Sequence, residues 1–140
     1  MSIPAPERLL RVFLVEDSEV LRKRLDEWLC SNPGVAVIGG AREAKTAIAE
    51  IARLSPDVII LDIALARNTS GFDVLRAIAN GTRPRPAVLV FTNHATAPYR
   101  DAAERLGAAQ FFDKNIDFMR MMQEVGRLAA VRGARNGSEG

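Results

Sequence analysis

The chain has 140 residues, 48% of them hydrophobic, with one cysteine and one histidine, and its 19 basic and 17 acidic side chains leave a formal charge of +2. That length suits a single domain that buries about 68–70% of its unfolded surface without staples, and Cys30 and His94 are too few for a disulfide scaffold or a zinc hydrolase. The near-balanced charge implies no direct nucleic-acid partner, and there is neither a secretory leader nor an apolar run of ~20 residues, so the chain reads as cytoplasmic and without membrane contact.

Residues 1–8 read as an N-terminal extension, residues 9–131 as the domain. Leu10 to Val15 is an apolar strand, and Ser18 to Cys30 repeats Leu21, Leu25 and Leu29 at helical spacing, with Asp17 or Ser18 as the N-cap. Cys30 itself reads as a small buried hydrophobe. After the stop signal Ser31-Asn32-Pro33-Gly34 come a second strand, Val35 to Gly40, and an amphipathic helix, Ala44 to Leu54. Asp57 to Leu61 is a third strand, apolar without alternation, as expected when helices cover both faces. A helix from Phe72 to Asn80, a strand from Pro86 to Thr92 and a short alanine-rich helix from Pro98 to Leu106 follow. Ala108 to Phe112 is the fifth strand, placing one of Phe111 and Phe112 on each side of the sheet, and Ile116 to Val131 is the last helix. Residues 132–140 read as a disordered polar tail, with Arg132 and Arg135 solvated.

Strict alternation of strand and helix predicts an α/β fold: a doubly wound five-stranded parallel sheet in order 2-1-3-4-5, with five helices and right-handed crossovers. Its ligand crevice lies at the carboxyl ends of strands 1 and 3, where the strand order reverses. Glu16 and Asp17 follow strand 1, Asp62 follows strand 3, Thr92 ends strand 4 and Lys114 lies just past strand 5. Each alone has a plain explanation, since Asp17 can cap a helix, Thr92 suits a strand and a loop lysine is usually solvated. Their coincidence on one sheet edge points further. Three carboxylates there repel unless a cation joins them, and a hard oxygen site for Mg²⁺ answers that repulsion.

These residues and their spacing resemble the receiver domain of bacterial two-component response regulators, a flavodoxin-like fold, over Leu10 to Val131. The resemblance implies that Asp62 is the phosphoacceptor and that Glu16, Asp17, Asp62 and the backbone carbonyl of Ala64 hold Mg²⁺. It implies that Thr92 and Lys114 bind phosphoryl oxygens, that Thr92, Tyr99 and Phe111 make the switch, and that Ala64 and His94 tune dephosphorylation. The implied partners are a histidine kinase or histidine phosphotransfer protein and a downstream protein target. A homodimer would form through the fourth helix, fifth strand and fifth helix. The protein would then be a regulator that catalyses only its own phosphorylation and dephosphorylation. With no output domain after residue 131, it reads as a stand-alone receiver.

The chain departs from the family pattern in several places. Ala66 stands where many receivers have proline, and the loop to Gly71 is one residue longer. Asn115 replaces a commonly cis proline and is expected in trans, since a non-proline cis bond costs ~2.5–4 kcal/mol. Asn93 is larger than the usual residue and is expected to crowd the phosphoryl pocket, and Phe111 lacks the hydroxyl of tyrosine. Three other functions compete. Glu16-Asp17-Ser18-Glu19 would repel the phosphate of a flavin mononucleotide, and a haloacid-dehalogenase-type Mg²⁺-dependent aspartyl phosphatase would need a second Asp at the position of Ala64. A receiver that no longer cycles phosphate and serves as a protein-binding module is the third.

Overall fold

The computed structural model describes residues 9–81 and 84–138. Its elements are β1 Leu10–Val15, α1 Glu19–Cys30, β2 Val35–Ala41, α2 Ala44–Leu54, β3 Val58–Leu61, α3 Gly71–Ala79, β4 Ala87–Thr92, α4 Ala97–Arg105, β5 Gln110–Asp113 and α5 Phe118–Ser138. The strands form one parallel sheet of five in order β2-β1-β3-β4-β5, as the sequence predicts.

Side-chain alternation along each strand sorts the core into two halves. Leu10, Val12 and Leu14 of β1 pack with Leu25 and Leu29 of α1 and Met121 and Val125 of α5. Phe13 and Val15 enter the opposite half with Ala47 and Ile51 of α2 and Val74 and Leu75 of α3. Phe111 and Phe112 divide in the same way, Phe111 toward Ala103 of α4 and Phe112 toward Met121. β3 is buried on both faces, which is why Val58-Ile59-Ile60-Leu61 carries no polar residue.

The structure corrects three expectations. α5 continues through residues 132–138, where the sequence predicts a polar tail. Ala129 and Ala130 are strong helix formers, and Arg132 Nη1 lies 3.7 Å from Asp57 Oδ1, docking the helix onto the turn before β3. Residues 139–140, like the N-terminal extension 1–8, lie outside the described residues. Cys30 is exposed rather than buried, its Sγ 3.2 Å from Asp26 Oδ1, because α1 turns Leu25 and Leu29 inward and the following position outward. α5 begins at Phe118, after a turn closed by the Asp117 N–H donating to the Asp113 carbonyl at 2.8 Å.

Candidate functional site

Register delivers the acidic residues together. Val15 pairs with Leu61, so Glu16 and Asp62 leave adjacent strands side by side, and the Asp62 N–H donates to the Val15 carbonyl at 2.9 Å. Glu16 and Asp62 are buried, Asp17 is exposed, and one oxygen from each of the three carboxylates lies within 4.8 Å of the others. Lys114 crosses from the end of β5 and places Nζ 2.6 Å from both Glu16 Oε1 and Asp62 Oδ2. One ammonium thus ties three strand exits together.

Burial pushes the Glu16 carboxyl above its ordinary value, against the opposing pull of Lys114 and of the Ser18 N–H, which donates to Oε2 at 3.0 Å. Burial works on Lys114 in the other direction, but Asp62 and Glu16 outweigh it and hold the ammonium above the usual lysine range. Lys114 is therefore charged at neutral pH. Three carboxylates against one ammonium leave an excess of negative charge, and hard oxygens this close match the donor set that Mg²⁺ takes.

The N-cap question left open by the sequence is decided for Ser18, whose hydroxyl accepts the Leu21 N–H at 3.2 Å. Asp17 is consequently free of a capping role. We expect Asp17→Ala to melt within about 0.5 kcal/mol of the parent, or slightly above it through relief of like-charge crowding, while Mg²⁺ binding drops sharply. A stability loss of about 1 kcal/mol with unchanged Mg²⁺ binding would return Asp17 to a capping role.

Thr92 is fully buried at the end of β4, where its hydroxyl accepts the His94 N–H at 3.2 Å and its carbonyl accepts the Lys114 N–H at 3.0 Å. Asn93 and His94 are exposed, so Asn93 does not fill the pocket as its size suggests. The His94 ring meets Tyr99 edge-on at 5.9 Å, and Tyr99 stacks on Phe72 of α3 at 5.8 Å. Phe111 is buried beneath Arg100, whose guanidinium carbon lies 4.7 Å from the ring centroid while Nη1 reaches the Phe111 carbonyl at 3.3 Å. Ala64 is exposed, and its N–H faces Asp62 Oδ1 at 3.4 Å.

The structure thus gathers Glu16, Asp17, Asp62 and Lys114 into one cluster and sets Thr92 beside it. Tyr99 and Phe111 lie on separate supports, α3 and α4 respectively. Sequence reasoning missed Arg100 and Gly71. Arg100 stands out only as a cation in an alanine-rich helix, and Gly71 only as the end of a loop, yet a Cβ on Gly71 would sit 2.3 Å from the Asp62 carbonyl oxygen.

The comparisons agree with this geometry. The family model described as the response regulator receiver domain matches residues 12–126. A protein-glutamate methylesterase/protein-glutamine glutaminase of Symbiobacterium thermophilum is 36% identical over 134 residues, covering 91% of this chain and 36% of that protein. Its counterpart in Rhizobium etli is 41% identical over 109 residues, covering 77% of this chain and 29% of its own. The chain therefore spans about a third of the length of these curated relatives. Among solved structures, the response regulator domain of Thermotoga maritima CheB superposes with a TM-score of 0.75 at 26% identity, covering 90% of this chain and 97% of that one. A LuxR-family two-component response regulator from Aurantimonas gives a TM-score of 0.79 at 25% identity, covering 89% and 88%. With its sheet order, its acidic cluster and a family match across most of its length, this chain belongs to the response regulator receiver domains of two-component signalling.

Proposed function

We propose that the protein is a phosphorylation-dependent switch in which Asp62 accepts a phosphoryl group from the phosphohistidine of a histidine kinase or phosphotransfer protein. The observation that carries this reading is the Lys114 ammonium held 2.6 Å from the carboxylate of Asp62 within the acidic cluster. In the transfer, an Asp62 carboxylate oxygen forms a bond to phosphorus, the P–N bond breaks, and the imidazole leaves with its electron pair and takes up a proton. Such chemistry asks the protein mainly to position the groups and neutralise charge. Lys114 has three N–H donors and spends two on Glu16 and Asp62, which leaves one for an incoming phosphoryl oxygen. The Thr92 hydroxyl accepts from the His94 N–H and retains its own proton to donate. Glu16, Asp17, Asp62 and the Ala64 carbonyl would hold Mg²⁺, which supplies Lewis-acid charge neutralisation at the phosphoryl group when bound.

Ala64 offers no carboxylate for general acid/base work, which disfavours the aspartyl phosphatase alternative. Val20, three residues beyond Asp17, and Ile116, two beyond Lys114, are 68% and 78% exposed and so accessible to a protein donor. The downstream target is also a protein, and an esterase of the kind named for the relatives is the first to test. The regulator acts on its own phosphoryl group only. Its output face is α4, β5 and α5, which is also where a homodimer would form.

The switch is α4 and the loop before it. Only Ala103 of α4 is buried, so the helix is weakly anchored. Capture of a phosphoryl oxygen by Thr92 draws residues 93–97 inward, which disturbs the Tyr99 stack and the Arg100 lid over Phe111. Hydrogen exchange with and without beryllofluoride and Mg²⁺ should therefore show its largest changes outside the acidic cluster between Asn93 and Phe112. Changes confined to 35–54 would refute the switch. Transfer of labelled phosphoryl from purified kinases of the same genome tests the donor, and no transfer from any of them, with small donors active, would refute a phosphohistidine source.

A further inference from the structure

We propose that Thr69 is a positioning residue for the cation site, its hydroxyl stapling the loop that follows Asp62 to the N-terminus of α2. The inference rests on the phosphoacceptor reading above and adds a residue to it. Helix α2 begins without help from its own N-cap, because Glu43 makes no side-chain capping bond. The helix-start N–H of Ala44 is satisfied instead by Thr69 Oγ1 at 3.1 Å, from 25 residues away in sequence. The same hydroxyl donates its proton to the Ala66 carbonyl at 2.8 Å. Both capacities of one Thr side chain are thus used, one on α2 and one on the loop.

The loop is otherwise folded back on itself. Leu65 N–H donates to the Thr69 carbonyl at 3.1 Å, Gly71 N–H to the Ile63 carbonyl at 2.7 Å, and Ala64 and Ser70 form an antiparallel bridge. At its tip Arg67 and Asn68 take left-handed conformations, φ 58° and 56°, which asparagine tolerates but arginine holds only under constraint. Two further ties reach α2's approach: the Ala66 N–H donates to the Arg42 carbonyl at 2.9 Å, and Arg67 Nε lies 3.1 Å from Glu43 Oε2. Of these ties, the Thr69 hydroxyl is the one that accepts a helix-start N–H. The loop carries Ala64, whose carbonyl belongs to the proposed cation site, so the staple fixes one corner of that site through the backbone. Linkage makes the coupling reciprocal: if the staple favours the cation-bound loop, the cation must strengthen the staple.

Two measurements test this. Isothermal titration with Mg²⁺ should show Thr69→Val binding on the order of 10-fold more weakly than the parent, as for other residues that support metal ligands, with Thr69→Ser restoring parental affinity. Hydrogen exchange of the parent should show the Ala44 amide gaining protection on addition of Mg²⁺. Parental Mg²⁺ affinity in a folded Thr69→Val, even with a lowered melting temperature, would reduce Thr69 to a helix cap and overturn the proposal. So would a Thr69→Ser variant as weak as Thr69→Val, or an Ala44 amide indifferent to Mg²⁺, which needs no variant to fold. A parent that binds no Mg²⁺ at all would instead strike the phosphoacceptor reading, and the two failures are thereby distinguished.

Discussion

Replacing Lys114 by alanine should destabilise the metal-free protein at neutral pH by about 3 kcal/mol, the lower end for breaking a buried ion pair. The substitution leaves Glu16 and Asp62 buried side by side with no ammonium between them. The loss stays at the lower end because Glu16 can take a proton. Its carboxyl already lies above the ordinary value of 4.5 through burial, and removing Lys114 removes two of the influences that lower it. A carboxyl raised in the folded state binds its proton more tightly there than in the unfolded chain. Its contribution to stability is complete below the unfolded value and is lost as pH rises through the folded one. The stability gap between Lys114→Ala and the parent should therefore narrow as pH falls from neutral toward about 4.5. Saturating Mg²⁺ at neutral pH should narrow it too. Phosphorylation should slow on the order of 10²-fold, as when one preorganised donor is removed from a charge-stabilising site. Denaturant melts of both proteins at the two pH values check the sign, and a gap independent of pH would mean that Glu16 takes up no proton when Lys114 is removed.

Gly71→Ala should be nearly as damaging, for a steric reason. An added Cβ would lie 2.3 Å from the Asp62 carbonyl oxygen and 3.0 Å from the Ile63 Cα, both backbone atoms, so no side chain can rotate out of its way. Either α3 or the strand exit that carries Asp62 must shift. We expect a loss of about 1–3 kcal/mol, as for other overpacked positions, together with slower phosphorylation by a small donor. Gly126→Ala is the control. A Cβ there meets nothing within 4 Å, and relief of helical glycine should stabilise the protein by about 0.5–1 kcal/mol. Parental phosphorylation kinetics in Gly71→Ala would show that the close approach does not set the position of Asp62.

What the sequence makes legible follows from which interactions are local. Leu10 to Val15 and Val58 to Leu61 announce themselves as buried strands because their apolar runs end abruptly in Glu16 and Asp62, and the same abrupt ends locate the site. Once alternation points to a parallel sheet, a chain of this length suits the doubly wound order β2-β1-β3-β4-β5, and the convergence of its exits follows from that order. The residues not anticipated act through tertiary contacts that no local periodicity encodes. Thr69 matters because it meets Ala44, Gly71 because a Cβ there would meet the Asp62 carbonyl, and Arg100 because Phe111 passes beneath it. The misjudged tail has the same origin. RGARNGSEG has the composition of a loop, and what carries the helix through residues 132–138 includes the reach of Arg132 to Asp57, which no local pattern encodes. Residue type alone suggests a buried Cys30, whereas its exposure is set by the phase of α1.

Asp62 is proposed to accept the phosphoryl group alone, with Lys114 and the carboxylates of Glu16 and Asp17 assembled around it. Intact-mass spectrometry after incubation with a small phosphodonor and Mg²⁺ tests it directly. The parent chain should gain a single phosphoryl group, absent in Asp62→Asn and absent when EDTA replaces Mg²⁺. A phosphoryl adduct that persists in Asp62→Asn, or that forms equally well in EDTA, would contradict it.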